Sequence, residues 1–370
     1  MAKICHMTSV HPPEDIRIFH KECTGLAKAG YDVTLIQQGE SCEKNGVRIL
    51  GIGERTGNRV QWMLRGPKLV YQKALEADAD IYQFHDPELF FCALKLKRRG
   101  KAVVFDSHEK YSMQLKSKPY LPRFATEFIA WVYSIFEKYA LRKIDAVIFP
   151  CTLDGKHPFE GQCKRTVTLN NMPLLAELYD KYSSVEKAGF QACYVGYVRP
   201  DRGNTQNVQS CNLADVPLIM AGSASSAEYE AELRKLDVKG LTDFTGWLGR
   251  EQVAEILKRA SAGLVTELNV GQNNVFDNLP TKAYEYMAMG IPVIISHSPY
   301  VDRLLKEKPF GIAVDPENVE ETAQALCFLR DHPHEAKRMG EVGRKTILEE
   351  FNWTVEEKKL FALYEDILKN

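Results

Sequence analysis

Two successive series of short, unbroken apolar runs divide this chain, and a longer segment of helical periodicity follows nearly every run. The first series reads KICHMTS (3–9), DVTLIQ (32–37), DIYQF (80–84), AVVFD (102–106) and AVIFP (146–150). The intervening helical segments include Ile16 to Ala29 and Val60 to Ala77. Strands buried on both faces of a parallel sheet show such runs rather than polar–apolar alternation. Strand–helix–strand succession of this kind implies a doubly wound α/β sheet. After a polar stretch near 174–188 the pattern restarts with ACYVGYV (192–198), VPLIMAG (216–222), DFTGW (243–247), AGLVT (262–266), PVIIS (292–296) and GIAVD (311–315). The expectation is two Rossmann-like α/β domains joined near residue 185 and facing across a cleft. Their bounds are 1–183 and 184–350, and a helix at 351–370 packs back on the first domain. A length of 370 residues suits two domains rather than one core.

Ligands of open α/β sheets bind beyond the carboxyl ends of the strands, so the loops after the runs are where chemistry is expected. Charge is balanced, 48 Lys+Arg against 49 Asp+Glu, which argues against a dedicated nucleic-acid binder. The nine cysteines are scattered without a CxxC pair, so neither a disulfide framework nor a zinc ribbon is indicated, and a reducing cytoplasm fits. MAKICHMTSV has no long apolar core and does not read as a signal peptide. The most apolar stretch, FIAWVYSIF (128–136), is about half the length needed to span a bilayer.

Three motifs read as structural. Gly51-Ile52-Gly53-Glu54-Arg55-Thr56-Gly57 imitates a dinucleotide fingerprint with a spacing one residue too long and no first strand before it. Asp78-Ala79-Asp80 has the spacing of a metal-binding acidic pair, yet it joins a helix end to a strand start. Asp86-Pro87-Glu88 is ordinary helix-start chemistry. No metal is therefore expected.

The most informative tract is Asp277-Asn278-Leu279-Pro280-Thr281-Lys282-Ala283-Tyr284-Glu285-Tyr286-Met287-Ala288-Met289-Gly290. Proline starts a helix and glycine ends one, so a short helix opens near Pro280. Its N-terminus is a ready anion site. Lys282 sits in the first turn, where the helix dipole disfavours a cation, which suggests an anionic partner. Glu285 needs a partner beside the apolar YMAMG surface, and a ribose diol would serve.

This tract resembles the acidic-x7-acidic signature of GT-B glycosyltransferases, in particular the family 4-like retaining group. TSVHPPEDIRIFHKECTGLAKAGYDVTLI (8–36), IYQFHDPEL (81–89), VVFDSHEKY (103–111) and the tail FNWTVEEKKLFALYEDIL resemble the same group, so the likeness covers both domains. The resemblance implies that Glu285 binds the donor ribose and that Asp277, standing where the family usually has Glu, contacts the transferred sugar. Asn278, Leu279, Pro280 and Thr281 would face the donor diphosphate. Arg202-Gly203 matches the basic-Gly pair that neutralises it. A second phosphate arginine usually follows the first glycine; that slot is Tyr197, and Arg199 or Lys282 would substitute. Gly246, Trp247 and Leu248 match the loop flanking the nucleobase. His108 matches the histidine lining the reaction centre, and Glu109 would orient an acceptor hydroxyl. The loop His11 to Arg17 would face the acceptor through Asp15 and Arg17, with N-capping of the first helix as the plainer role for Asp15.

The resemblance implies a retaining front-face transfer of sugar from a nucleoside diphosphate onto a hydroxyl of a surface glycan or lipid-linked oligosaccharide. UDP is favoured on family frequency alone. Cations and N–H donors would stabilise the leaving phosphate, so no cofactor or metal is called for. The rivals are a non-catalytic GT-B scaffold, a nucleotide-sugar epimerase and, failing for want of a fingerprint, a Rossmann oxidoreductase. Lys95 to Lys101 is a basic cluster, and Pro119 to Arg142 is aromatic with Lys and Arg interspersed. Its aromatics do not keep to a narrow stripe, which reads as a core helix ahead of a membrane patch. Peripheral contact at the inner face of the membrane is the alternative.

Overall fold

The structure, a computed structural model, describes residues 1–111, 123–175 and 189–369. They form two compact units, Met1–Asn171 with Val355–Asn370, and Met172–Thr354.

The first unit is built on an eight-stranded sheet. In spatial order its strands are Cys42–Lys44, Val47–Gly51, Asp32–Gln37, Lys3–Met7, Ile81–Phe84, Ala102–Asp106, Ala146–Phe149 and Thr166–Thr168. All neighbours are parallel except the first pair. Ile81–Phe84 and Ala146–Phe149 are buried at every residue, as unbroken apolar runs require. Strand order reverses at Lys3–Met7, which pairs with Asp32–Gln37 on one side and Ile81–Phe84 on the other.

The second unit carries six parallel strands in the order Thr242–Gly246, Leu218–Ala221, Ala192–Val195, Ala262–Val265, Val293–Ser296 and Gly311–Val314. Here the reversal lies between Ala192–Val195 and Ala262–Val265. Both sheets therefore present a crevice at a topological switch point, where open α/β folds place their ligands.

Every strand expected from the apolar runs is present within a few residues of its bounds. Three strands were not expected, the two at the edges of the sheet and the neighbour of one of them. Cys42–Lys44 and Val47–Gly51 form a hairpin about Asn45 (φ 53°) and Gly46 (φ 75°), the left-handed pair that an Asn-Gly turn supplies. Thr166–Thr168 is too short to show a pattern.

The forward junction falls at Asn171/Met172, ahead of the polar stretch where the sequence suggested it. Met172 is buried in the core of the second unit, and Pro173 O accepts the Trp353 N–H. The tail is two helices, Pro333–Glu349 and Trp353–Lys369. The second belongs to the first unit from Val355 onward, where Glu356 accepts the Asn170 N–H at 2.8 Å.

Helix Arg123–Leu141 departs from the expected core helix. Thr126, Ala130, Glu137, Ala140 and Leu141 are buried, while Phe128, Trp131, Val132, Ile135 and Tyr139 are exposed. The exposed positions recur at three- and four-residue intervals and line one face. Among the described residues no helix is long and apolar enough to cross a membrane.

Candidate functional site

In the second unit the switch point gathers charge. Strand Ala192–Val195 leads through Gly196 to a tight turn, Pro200–Arg202, and then Gly203. Gly203 has φ +70°, and a Cβ there would lie 1.9 Å from Thr266 O, so only glycine allows this turn to press on the end of the neighbouring strand. Asp201 O accepts the Leu268 N–H at 3.0 Å, which seals the contact. The packing sets Arg202 on the carboxylate of Glu267, just beyond strand Ala262–Val265. Lys282, in the first turn of helix Thr281–Ala288, places Nζ 3.0 Å from the same Glu267 Oε1 and 4.7 Å from the centre of the Tyr194 ring. No side chain caps that helix start.

Lys282 is buried, contrary to an exposed lysine. Burial lowers its pKa, and Glu267 resists the shift. Burial would lower Arg202 as well, but the Glu267 carboxylate outweighs it and the guanidinium is raised.

The other donor-side candidates have protein partners. Arg199 donates from Nε to Asp201 at 2.8 Å. Asp277, its side chain 8% exposed, accepts from Arg303 at 3.1 Å. Glu285 accepts from Arg250 at 2.7 Å. Asn278 and Thr281 are exposed at the rim, Pro280 is half-buried, and Leu279 is buried beneath them. Gly246 (φ +69°) ends strand Thr242–Gly246, followed by a strongly exposed Trp247 and a half-buried Leu248.

The first unit has its own pocket, about 400 Å³, at the carboxyl ends of its switch-point strands. His11, Arg55, Trp62, His85, Asp86 and His108 line it, with Glu109 at the edge. Arg55 comes from the glycine-rich segment 51–57, which is otherwise a loop whose Gly53 pairs with Gly39. The Asp86 side chain does not cap the following turn. Its Oδ2 instead accepts from Thr8 at 2.9 Å and from the N–H groups of Ser9 and Val10, fixing the loop after the first strand. His11 stands between Asp86 (3.4 Å) and Asp15 (3.6 Å), with its ring 4.6 Å from that of His108. Burial alone would lower His11, but the Asp15 hydrogen bond and the charges of Asp86, Asp15 and Asp106 raise it.

Asp15 is the N-cap of helix Ile16–Cys23, accepting from the N–H groups of Arg17 and Ile18. Arg17 does not face an acceptor, which corrects its expected role. It is buried, with Nε and Nη2 on both oxygens of Asp106 (3.0 and 2.8 Å) and Nη1 on Leu169 O (3.0 Å). Asp106 ends strand Ala102–Asp106, and its oxygen also faces His85 (3.1 Å) and His108 (3.3 Å). Among the described residues, His6–Glu22–His85 and His85–Asp106–His108 each bring three metal-ligating atoms within 4.8 Å of one another. The Arg17 guanidinium on Glu22 and Asp106 supplies positive charge to both groups. Asp78 pairs with Lys101 (2.7 Å) and Asp80 accepts the Lys3 N–H (2.8 Å), so that motif is structural.

Sequence reasoning missed Glu267, Asp86, His85 and Asp106. Their shared signal is a polar residue at the last position of a buried apolar run, or within two residues after it.

Residues 181–346 match the family described as Glycosyl transferases group 1, and residues 17–154 match Glycosyltransferase Family 4. A stretch of 137 residues is 25% identical to the MMP alpha-(1->4)-mannosyltransferase of Mycolicibacterium hassiacum, covering 37% of this chain and 32% of that protein's length. The fold is similar to sucrose-phosphate synthase from Thermosynechococcus elongatus, with TM-score 0.75, 17% identity and all of both chains covered. It is also similar to Anabaena HepE, solved in complex with UDP-glucose, with TM-score 0.69, 13% identity, and 99% and 100% of the two chains covered. Two doubly wound parallel-sheet units, each with a switch-point site, define a GT-B architecture. The chain belongs to the family 4-like glycosyltransferases of that fold.

Proposed function

We propose that this protein is a retaining, metal-independent glycosyltransferase that moves a sugar from a nucleoside-diphosphate sugar, with UDP as the nucleotide, to a hydroxyl of a surface glycan or lipid-linked oligosaccharide. The observation that carries the reading is the convergence of Arg202 and Lys282 on Glu267 at the switch point of the second unit. Cleaving a glycosyl–phosphate bond leaves negative charge on the diphosphate. Two cations held in place beside an uncapped helix N-terminus are preorganised for that charge. They do the work a divalent ion does in other transferases, which supports metal independence. UDP is supported by the Anabaena relative bound to UDP-glucose. In this reading Glu285 meets the donor ribose, Trp247 the base, Asp277 and His108 the transferred sugar, and Glu109 the acceptor.

The outer face of helix Arg123–Leu141 supports contact with the inner face of a membrane. Phe128, Trp131, Ile135 and Tyr139 are exposed there. Lys138, Arg142 and Lys143 are exposed at its end, as are Lys95 and Arg98 on helix Phe90–Arg98 and Arg99 at its C-cap. Phe91 of that helix packs on Phe136 of the other, with ring centres 5.2 Å apart. Aromatic side chains flanked by cations suit an anionic lipid surface.

The test is thermal stability against UDP, GDP, ADP, CDP and NAD, each with and without EDTA. A ligand at about 100 times its dissociation constant stabilises the fold by about 2.7 kcal/mol. A shift with UDP that survives EDTA is the expected result. No shift with any nucleotide in folded protein would move the reading to a non-catalytic scaffold.

A further inference from the structure

In the second unit a long loop, residues 267–277, leaves the carboxyl end of strand Ala262–Val265 and runs to Asp277. Two of its asparagines staple it to the cation cluster. Asn274 Nδ2 donates to the backbone oxygen of Glu267 at 2.8 Å and to Asn269 Oδ1 at 2.9 Å. Asn273 Nδ2 donates to Leu268 O at 3.2 Å and to Asp201 O at 3.3 Å, and Asp201 is the residue before Arg202. A backbone carbonyl can only accept, so each amide keeps its nitrogen on that side and cannot be turned over. The trigonal amide then sends each Oδ1 the opposite way. Neither Oδ1 accepts a hydrogen bond among the described residues, and both side chains are half-buried. Asn274 also holds φ +59°, a left-handed conformation that asparagine tolerates better than most side chains.

Two carbonyl oxygens are thus held rigidly beside the residues that carry the phosphate cations. One amide hangs from the backbone of Glu267, whose carboxylate anchors Arg202 and Lys282. The other hangs from the residue next to Arg202. The sugar of a sugar nucleotide is bonded to the outer phosphate, so groups anchored here meet the sugar. A hydroxyl needs an acceptor, and a neutral amide oxygen supplies one without repelling the diphosphate as a further carboxylate would. We propose that Asn273 and Asn274 form a subsite for the donor sugar, their Oδ1 atoms accepting from two of its hydroxyl groups and discriminating among sugars on one nucleotide. The subsite rests on the nucleotide-sugar reading and adds to Asp277 and His108, the residues given to the transferred sugar above. A site built to hydrogen-bond a hydroxyl rejects an analogue that lacks it far more strongly than an apolar pocket rejects an added group.

Titration calorimetry of the whole protein with UDP, UDP-glucose, UDP-galactose and UDP-N-acetylglucosamine tests this. The wild type is expected to rank the three sugars. Asn273→Ala and Asn274→Gly are each expected to lose about tenfold in affinity for the preferred sugar nucleotide, the loss of roughly one hydrogen bond, and to flatten the ranking. Glycine keeps the left-handed backbone at 274 unstrained. UDP affinity in both variants should stay within about twofold, since Arg202 and Lys282 are intact. Equal losses for UDP and the sugar nucleotide would make the asparagines mere supports of the loop and overturn the proposal. So would unchanged binding of both, or a wild type that binds UDP but ranks none of the sugars. A wild type that binds none of the four ligands overturns the nucleotide-sugar reading itself and the subsite with it.

Discussion

Lys282 Nζ lies 3.0 Å from Glu267 Oε1, and Arg202 reaches that same oxygen from the adjacent strand end. One carboxylate, itself 4% exposed at the side chain, thus anchors two cations, one from the turn Pro200–Arg202 and one from the first turn of helix Thr281–Ala288. The arrangement places positive charge at the carboxyl ends of the central strands before any ligand arrives.

Arg202→Ala is expected to weaken UDP binding by roughly 1.5–3 kcal/mol, the range for a hydrogen bond to a charged group. Lys282→Ala should do the same. Because both side chains answer to one carboxylate, the double variant is expected to lose less than the sum of the two. Titration calorimetry on the four proteins reads this cycle. Unchanged UDP affinity in Arg202→Ala would remove that residue from the donor site.

Glu267→Gln tests the stability side of the same cluster. Removing one partner of a buried pair costs about 3–5 kcal/mol, because the other charge stays buried. Lys282 bears most of that cost, since the Arg202 side chain is 34% exposed and can rehydrate. The urea midpoint should fall clearly in Glu267→Gln and recover in part when Lys282→Met is added. A midpoint that does not move would mean the pair is hydrated.

His11 makes stability depend on pH with a definite sign. Its folded pKa is raised, so its contribution is fully present below the unfolded value, about 6.5, and is lost as pH rises through the folded value. Relative to the wild type, His11→Asn should be destabilised at about pH 5.5 and nearly equal at about pH 8.5. Melting curves at the two pH values decide it. A gap that widens toward alkaline pH contradicts the ion pairs with Asp15 and Asp86.

Much of this architecture was legible because strands buried on both faces leave unbroken apolar runs, and the central strands of both sheets are of that kind. The edges were not: Cys42–Lys44 and Thr166–Thr168 have three residues each, too few to repeat a pattern. The motif around Lys282 was readable as a helix start with a misplaced cation. Its partner Glu267 was not, since a single acid after a strand looks like any loop residue. Arg17 was misread for a related reason. Its partner Asp106 lies 89 positions away, and only the sheet brings them together.

Helix Arg123–Leu141 shows the same limit from the other direction, and it supplies the last prediction. A helix apolar on all sides has either a core or a membrane around it. Here the buried face meets the first unit while Trp131, on the opposite face, is 60% exposed. Vesicles of phosphatidylglycerol and phosphatidylcholine should therefore pull the protein down on centrifugation, and pure phosphatidylcholine should do so less. Each surface Lys or Arg contributes about 1 kcal/mol at an anionic membrane, so raising the salt should release the protein. Trp131→Glu with Ile135→Glu should abolish sedimentation. Both side chains face outward, and exposed substitutions usually stay within about 0.5 kcal/mol, so the fold should persist. Binding that survives both substitutions would assign this face to something other than lipid.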